Sequence, residues 1–511
     1  MSLGFIVRYS AVEAATALTQ PRFAAKGARD RRSRMLGHGS LESTVVGEAA
    51  EHRQDLFFCG QLANWTEIAQ RLVSQGLSRE GFISPAHCIR LLYQQYGPPG
   101  LRMLEGLFVG AFIEGGKLVA FASKTPGPSL YYYLDSAAGT ACVTTELKAL
   151  PASERRLRAF TDIIDQAGAP TEQTCLHGVR RVQAGRCVDI QLDSQLLVEQ
   201  DIEYYSTHRA ITVFDEAQAI EQLREALSQA VFSSPGATAH CLVSGGLDSS
   251  IVAYLARRHF DGLTLFSLGT EKNNEFDKAD AFGTSISLPV RRLVIEEDEF
   301  LNVLPEVIAL IEHCFSTFAE YLIPVHLAHK QIGDSADILL SGYGSDVLFA
   351  GFAKPDHTLR QVTKLVESEY SSTRWANEAS QCLGGGIGFA IGYPFFDSRV
   401  VDLAFSIDPY LKHKHGVEKY ILRETYRGLL DETVIARRKV GIHEGTGCED
   451  FLTDQVKTHA ATQVRRTKDA LCYLVLRKIL VDEFDPADVN AHALIPDAQA
   501  LVQMGPVCEA G

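Results

Sequence analysis

The segment that most constrains this chain is Ser244-Gly245-Gly246-Leu247-Asp248-Ser249-Ser250. An apolar run, Ala239-His240-Cys241-Leu242-Val243, precedes it, and an amphipathic stretch from Ser249 to His259 follows. Leu263-Thr264-Leu265-Phe266-Ser267-Leu268 then reads as a second strand. Strand, glycine turn, helix and strand in that order make a βαβ unit, which implies a parallel sheet covered by helices. Glycines after a strand let backbone N–H groups approach an anion closely, and the helix N-terminus adds partial positive charge. Ser244, Ser249 and Ser250 add hydroxyl donors, and Asp248 adds a carboxylate suited to Mg²⁺ bridging phosphates. A Walker A loop needs Gly-Lys-Ser/Thr after its glycines, and a dinucleotide loop needs GxGxxG; this segment has neither.

Two later segments repeat parts of that design. Asp337-Ile338-Leu339-Leu340-Ser341-Gly342 is again a strand running into glycine, continued by Tyr343-Gly344-Ser345-Asp346. Ligands of open parallel sheets bind at the carboxyl ends of strands, so Asp346 is expected beside Asp248, sharing a Mg²⁺. An ordinary glycine turn explains the segment equally well. Arg437-Arg438-Lys439-Val440-Gly441-Ile442-His443-Glu444-Gly445 forms a positive patch able to neutralise pyrophosphate or an oxyanion. A solvated basic stretch is its equal alternative. Lys412-His413-Lys414-His415 reads as a solvated basic turn rather than a metal site.

The chain divides. Up to about residue 205 it holds short apolar runs broken by Gly, Pro and Asn, such as Asp55–Gly60, Leu107–Ile113, Leu118–Ala122 and Leu130–Leu134. These read as buried strands of an α+β domain on antiparallel sheets, with helices near 64–75 and 84–95. From Asp215, a helix cap, the spacing of Ile220, Leu223, Ala226, Leu227, Ala230 and Val231 is helical. The expected domains are 1–208 and 209–511. The length of 511 residues, at roughly 150 residues per domain, allows two to four domains, of which this division is the smallest number.

Composition limits the partners. With 49 basic against 63 acidic residues the chain carries −14, the wrong sign for coating nucleic acid. No stretch approaches the ~20 apolar residues of a membrane span, so no membrane partner is expected. The basic run Lys26–Arg34 reads as a solvated loop. Eleven scattered cysteines, odd in number and without CxxC, fit reduced cytosolic thiols and a cytoplasmic location better than disulfides or structural zinc.

The second half resembles the synthetase domain of asparagine synthetases, within the ATP pyrophosphatase family whose SGGxDS loop binds pyrophosphate. It is more closely similar to the β-lactam-forming members, β-lactam synthetase and carbapenam synthetase. The resemblance is carried by Val243–Ser250, Ser267–Glu271 with Asn274-Glu275-Phe276, Ser341–Asp346, Thr373–Glu378 and Lys439–Gly445. It covers about residues 211–455. The first half resembles the family's glutaminase-like (Ntn-type) sandwich more weakly. A glutaminase of that type uses an N-terminal Cys exposed once Met1 is removed; here position 2 is Ser2 and the first cysteine is Cys59. The expected fold is therefore an α+β glutaminase-like antiparallel sandwich lacking the nucleophile, joined to an α/β parallel-sheet synthetase domain.

The resemblance implies an ATP- and Mg²⁺-dependent ligase that adenylates a small β-amino acid and closes a β-lactam in antibiotic or toxin biosynthesis. Asp248 and Asp346 would hold Mg²⁺. Val243, Ser244, Gly245, Gly246, Asp248, Ser249, Ser250, Ser267, Leu268 and Gly342 would line the nucleotide. Tyr343 with Glu378 would serve as the base, and Lys439 would stabilise the oxyanion. The KxGIHEG run is close to that of carbapenam synthetase, which favours a pyrrolidine-type or similarly compact substrate, with a linear amino-acid substrate as the alternative. The relatives form homo-oligomers, so one is expected here. An ammonia-dependent amide ligase and a non-catalytic nucleotide-binding protein are the alternatives.

Overall fold

The computed structural model describes residues 4–10, 29–36, 39–46, 56–77, 85–164, 171–192, 197–207, 209–333, 335–376, 390–457 and 461–503. The first half contains strands β1 (Gly4–Ser10), β2 (Arg29–Leu36), β3 (Gly39–Val46), β4 (Leu56–Leu62), β5 (Gly106–Glu114), β6 (Lys117–Ala122), β7 (Tyr131–Asp135), β8 (Thr140–Thr144), β9 (Val179–Arg181), β10 (Arg186–Gln191) and β11 (Val198–Glu203). They form two sheets, ordered β2-β3-β1-β8-β7-β9 and β11-β10-β6-β5-β4, in which every pairing is antiparallel.

The sheets pack face to face. Phe5 and Val7 of β1 share a buried core with Val109, Ala111 and Ile113 of β5 and with Val188 and Ile190 of β10. The other face of β5, through Phe108 and Phe112, is covered by helices α1 (Trp65–Ser74) and α2 (Pro85–Tyr96). Burial on both faces explains why Leu107–Ile113 is a continuous apolar run and not an alternating one. The basic run expected as a solvated loop differs from that expectation: Arg29–Arg34 belong to β2, fully paired with β3. The reason is that β2 is the sheet edge, where charged residues are favoured because they discourage further pairing.

The second half opens with α3 (Glu216–Phe232), whose cap Asp215 accepts the Gln218 N–H at 2.8 Å. Strands β12 (Thr238–Leu242), β13 (Gly262–Gly269), β14 (Val290–Val294), β15 (Ile338–Leu340) and β16 (Ala390–Gly392) form an all-parallel sheet ordered β14-β13-β12-β15-β16. The chain runs outward from β12 to β14 and returns to β15 on the opposite side of β12. That reversal is the topological switch point where open parallel sheets bind ligands. Helix α4 (Leu247–Ala256) begins two residues earlier than the sequence implies, so Asp248 lies in its first turn.

The two halves share packing. The outer face of the first sheet, through Ile6, Tyr131, Tyr133 and Cys142, sits in one buried cluster with α5 (Leu304–Ile311), α6 (Ser316–Ile332) and a later helix, Ala461–Leu480. Arg155 donates to the Leu480 carbonyl at 2.8 Å, and Arg374, at the end of α7 (Leu359–Ala376), donates to the Ala184 carbonyl. Among the described residues no single helix is long and apolar enough to cross a membrane, and no cysteine is in a disulfide.

Candidate active site

The loop after β12 is built by close approach. Gly245 has φ +69°, and a Cβ there would lie 2.5 Å from the Lys278 carbonyl oxygen, so a side chain is excluded twice over. Gly246 caps α4 in an extended conformation, and its N–H points to Ser244 Oγ at 3.3 Å. Val243 is buried, with its N–H on the Phe266 carbonyl of β13 at 2.7 Å. Ser249 Oγ lies 3.4 Å from both the Ser244 N–H and the Gly246 carbonyl. Ser250 is fully buried in the first turn, and its hydroxyl has no hydrogen-bond partner among the described residues. Ser267 and Leu268, on adjacent β13, are buried and half-buried.

The loop after β15 lies directly on this one. A Cβ at Gly342 would be 2.7 Å from both the Asp248 carbonyl carbon and the Ser249 nitrogen, so glycine is what lets the two turns touch. The expected neighbourhood of Asp248 and Asp346 follows. Both carboxylates lie 2.6 Å from one ammonium, that of Lys419. Ser345 Oγ also donates to Asp248, and Lys439 pairs with Asp346. Burial pushes the Asp346 carboxyl up, but the Lys419 and Lys439 charges outweigh it and hold the group below its ordinary range. Burial likewise opposes the charge on Lys419, and the two aspartates more than restore it.

Lys419 is absent from the residues singled out in the sequence. It caps the short helix Tyr420–Tyr426 with φ +54° and is only 2 % exposed. No local periodicity marks it; the nearest signal is an isolated Glu-Lys after Gly416. Its position also tests the residues against Mg²⁺. Two oxygen-donor carboxylates converge on a point that already holds positive charge, and Asp346 Oδ1 makes no well-directed hydrogen bond there. That donor set suits a Mg²⁺ held by one or two carboxylates and completed by phosphate oxygens.

Of the expected basic patch, only Lys439 reaches the carboxylates. Arg437 is taken up by Glu275 and by the Ser244 carbonyl, so it clamps the glycine loop instead of offering a free charge, and Arg438 is exposed. Lys439 also lies over the Phe352 ring at 4.6 Å. Tyr343 is packed among Tyr321 of α6 at 5.7 Å, Tyr393 at 6.1 Å and Phe396 at 5.6 Å between ring centroids. Tyr321 is a second residue the sequence does not reveal, since an aromatic on an apolar helix reads as core. Glu378 and Gly384–Gly386 lie outside the described residues. The Lys412–His415 turn is not solvated as expected: Lys412 is buried against Phe349 and Phe405, and His413 and Lys414 pair with Val417 and Glu418. Among the described residues no cluster of three metal-ligating side chains occurs.

The asparagine synthase family profile matches residues 221–383 and 388–492, over half of the chain. A carboxyethyl-arginine beta-lactam-synthase from Streptomyces clavuligerus is 30% identical over 416 residues, 80% of this chain and 77% of that protein. A putative glutamine-hydrolyzing asparagine synthetase from Mycobacterium bovis is 26% identical over 318 residues, 59% of this chain but 48% of the relative. Glutamine-hydrolyzing asparagine synthetase 1 of Bacillus subtilis is 21% identical over 479 residues, 76% of this chain and 75% of the relative.

Proposed function

The chain belongs to the asparagine synthase family, and from that premise we propose that it is an AMP-forming ligase that closes an intramolecular amide, a β-lactam, in a β-amino acid. The observation that carries this reading is the convergence at the switch point of the glycine loop, the Asp248–Lys419–Asp346 cluster, Lys439 and Tyr343. The 30% identity to a beta-lactam-synthase over most of both chains favours ring closure over amidation.

In the proposed first step the substrate carboxylate oxygen attacks the α-phosphorus of ATP. The Pα–O–Pβ bond breaks, leaving an acyl-adenylate and pyrophosphate. Backbone N–H groups at Gly245 and Gly246, the α4 N-terminus and Lys419 bind the phosphates. Asp248 and Asp346 would hold Mg²⁺, which supplies charge neutralisation when bound. In the second step the substrate's own amine attacks the acyl carbon. Tyr343 takes the proton from nitrogen as it passes its own phenolic proton to Glu378, which is assigned by family resemblance to orient Tyr343 and accept that proton. Lys439 meets the oxyanion, which collapses to the lactam and releases AMP. The aromatic wall of Tyr321, Tyr393 and Phe396 fixes Tyr343 and excludes water, and near-attack geometry offsets the strain of the small ring. The first half, on this reading, is a glutaminase-like sandwich kept for structure.

The test is product analysis with a panel of β-amino acids. AMP and pyrophosphate release that depends on the β-amino acid, and not on glutamine or ammonia, is expected. Tyr343→Phe is expected to retain ATP–pyrophosphate exchange and lose lactam. ADP formation, or asparagine made from glutamine, overturns the reading.

A further inference from the structure

A cavity of about 30 Å³ lies between the two halves, remote in sequence from the glycine loops. Arg158, Gln173, Cys175 and Arg181 line it from the sandwich side, His313 and Cys314 from the other. At about 10–15 Å³ of centre volume per water, it holds two or so water-sized groups, the bulk of a small oxyanion.

Its chemistry is that of an anion site. Arg181 is 6 % exposed, and among the described residues its guanidinium has no hydrogen-bond or ion-pair partner; it lies over the Tyr131 ring at 5.9 Å. Arg158 donates to the Thr174 and Asp162 carbonyls at 3.2 and 3.1 Å. His313 Nδ1 accepts the Phe315 N–H at 3.2 Å, which puts the proton of the neutral ring on Nε2 as a donor. Burial, then the Arg181 charge, keep that ring neutral. Among the described residues of the wall the carboxylate is Glu312, which accepts the Leu147 and Lys148 N–H groups at 2.6 and 2.8 Å and faces Lys148 Nζ. Asp469, the carboxylate behind Cys314, is bound to Ser316 at 2.7 Å. A buried guanidinium without a counter-charge is costly, and more conspicuous in a chain of net charge −14.

We propose that this cavity binds a small oxyanion of the phosphate or carboxylate class, held by Arg181 and the His313 Nε2–H. The site joins both halves at the start of α6, the helix that carries Tyr321 against Tyr343. The proposal does not depend on the reaction assigned above.

The test is calorimetric titration of the full chain with inorganic phosphate, and separately with acetate, after a non-hydrolysable ATP analogue has filled the nucleotide loop. Binding of either anion in the presence of the analogue is expected, and which one binds names the source. Arg181→Gln should weaken it by at least about tenfold, with Arg181→Lys recovering part, as loss of a charge-assisted donor requires. If Arg181→Gln does not fold, His313→Phe and hydrogen exchange of the wild-type chain take its place: phosphate or acetate should slow exchange at 312–318. No binding of either anion, binding abolished by the ATP analogue, or binding unchanged in Arg181→Gln and His313→Phe overturns the proposal, as does unchanged exchange at 312–318.

Discussion

Gly342 rests on the backbone of Asp248, so closely that a Cβ would meet the carbonyl carbon at 2.7 Å. The two glycine loops, nearly a hundred residues apart, are thereby one surface. Gly342→Ala should force them apart, at an overpacking cost of about 1–3 kcal/mol. Calorimetry should show weaker ATP binding while circular dichroism stays native; unaltered affinity would count against the contact.

Lys419 stands between Asp248 and Asp346. Removing one member of a buried charge cluster leaves the others uncompensated, at about 3–5 kcal/mol. Lys419→Met should therefore lower the denaturation midpoint and abolish AMP release. Because the folded Asp346 carboxyl is held below its ordinary value, it contributes stability above the ordinary carboxylate range, lost as pH falls through the folded value. Acid unfolding of Lys419→Met should begin at higher pH than in the wild type.

Lys439 is the half-buried counterpart, its side chain 31 % accessible and paired with Asp346. Lys439→Met should cut turnover by roughly 10²–10³-fold, the usual effect of losing one oxyanion donor. Steady-state AMP release is the measurement. Unchanged turnover would remove Lys439 from the oxyanion role, and absence of AMP release from the wild-type chain would return it to the non-catalytic nucleotide-binding class.

Lys412 is buried beside Phe349 and Phe405, and burial pulls its ammonium down to about 7. The unfolded chain therefore binds a proton that the folded chain lacks between that value and the ordinary lysine range. In this window stability should rise with pH from this group. Thermal melts from pH 7 to about 10 should show the rise in the wild type and its loss in Lys412→Met. A Lys412→Met protein with the same pH slope would refute the assignment.

The legible parts were local. Gly245, Gly246 and Asp248 announce a phosphate loop because strand, turn and helix are consecutive, and Asp346 follows from the rule that strand ends converge. Leu107–Ile113 showed a buried strand because both faces of β5 are covered. Lys419 and Tyr321 were hidden because each reaches the site through tertiary packing alone. The fate of Arg437 was hidden too, since sequence spacing does not disclose that Glu275 lies opposite it. Lys412 misled for a related reason: a Lys-His-Lys-His run looks solvated until aromatic rings from two other segments enclose it.

The shared packing around Tyr131 and Tyr133 carries a last consequence. The first half contributes no residue to the proposed chemistry, yet its outer sheet is the floor on which the helix bearing Tyr321 lies. Severed, each half would bare a greasy face meant for the other. A half that takes no part in the proposed chemistry is still held in place, as a foundation keeps a house level without being lived in.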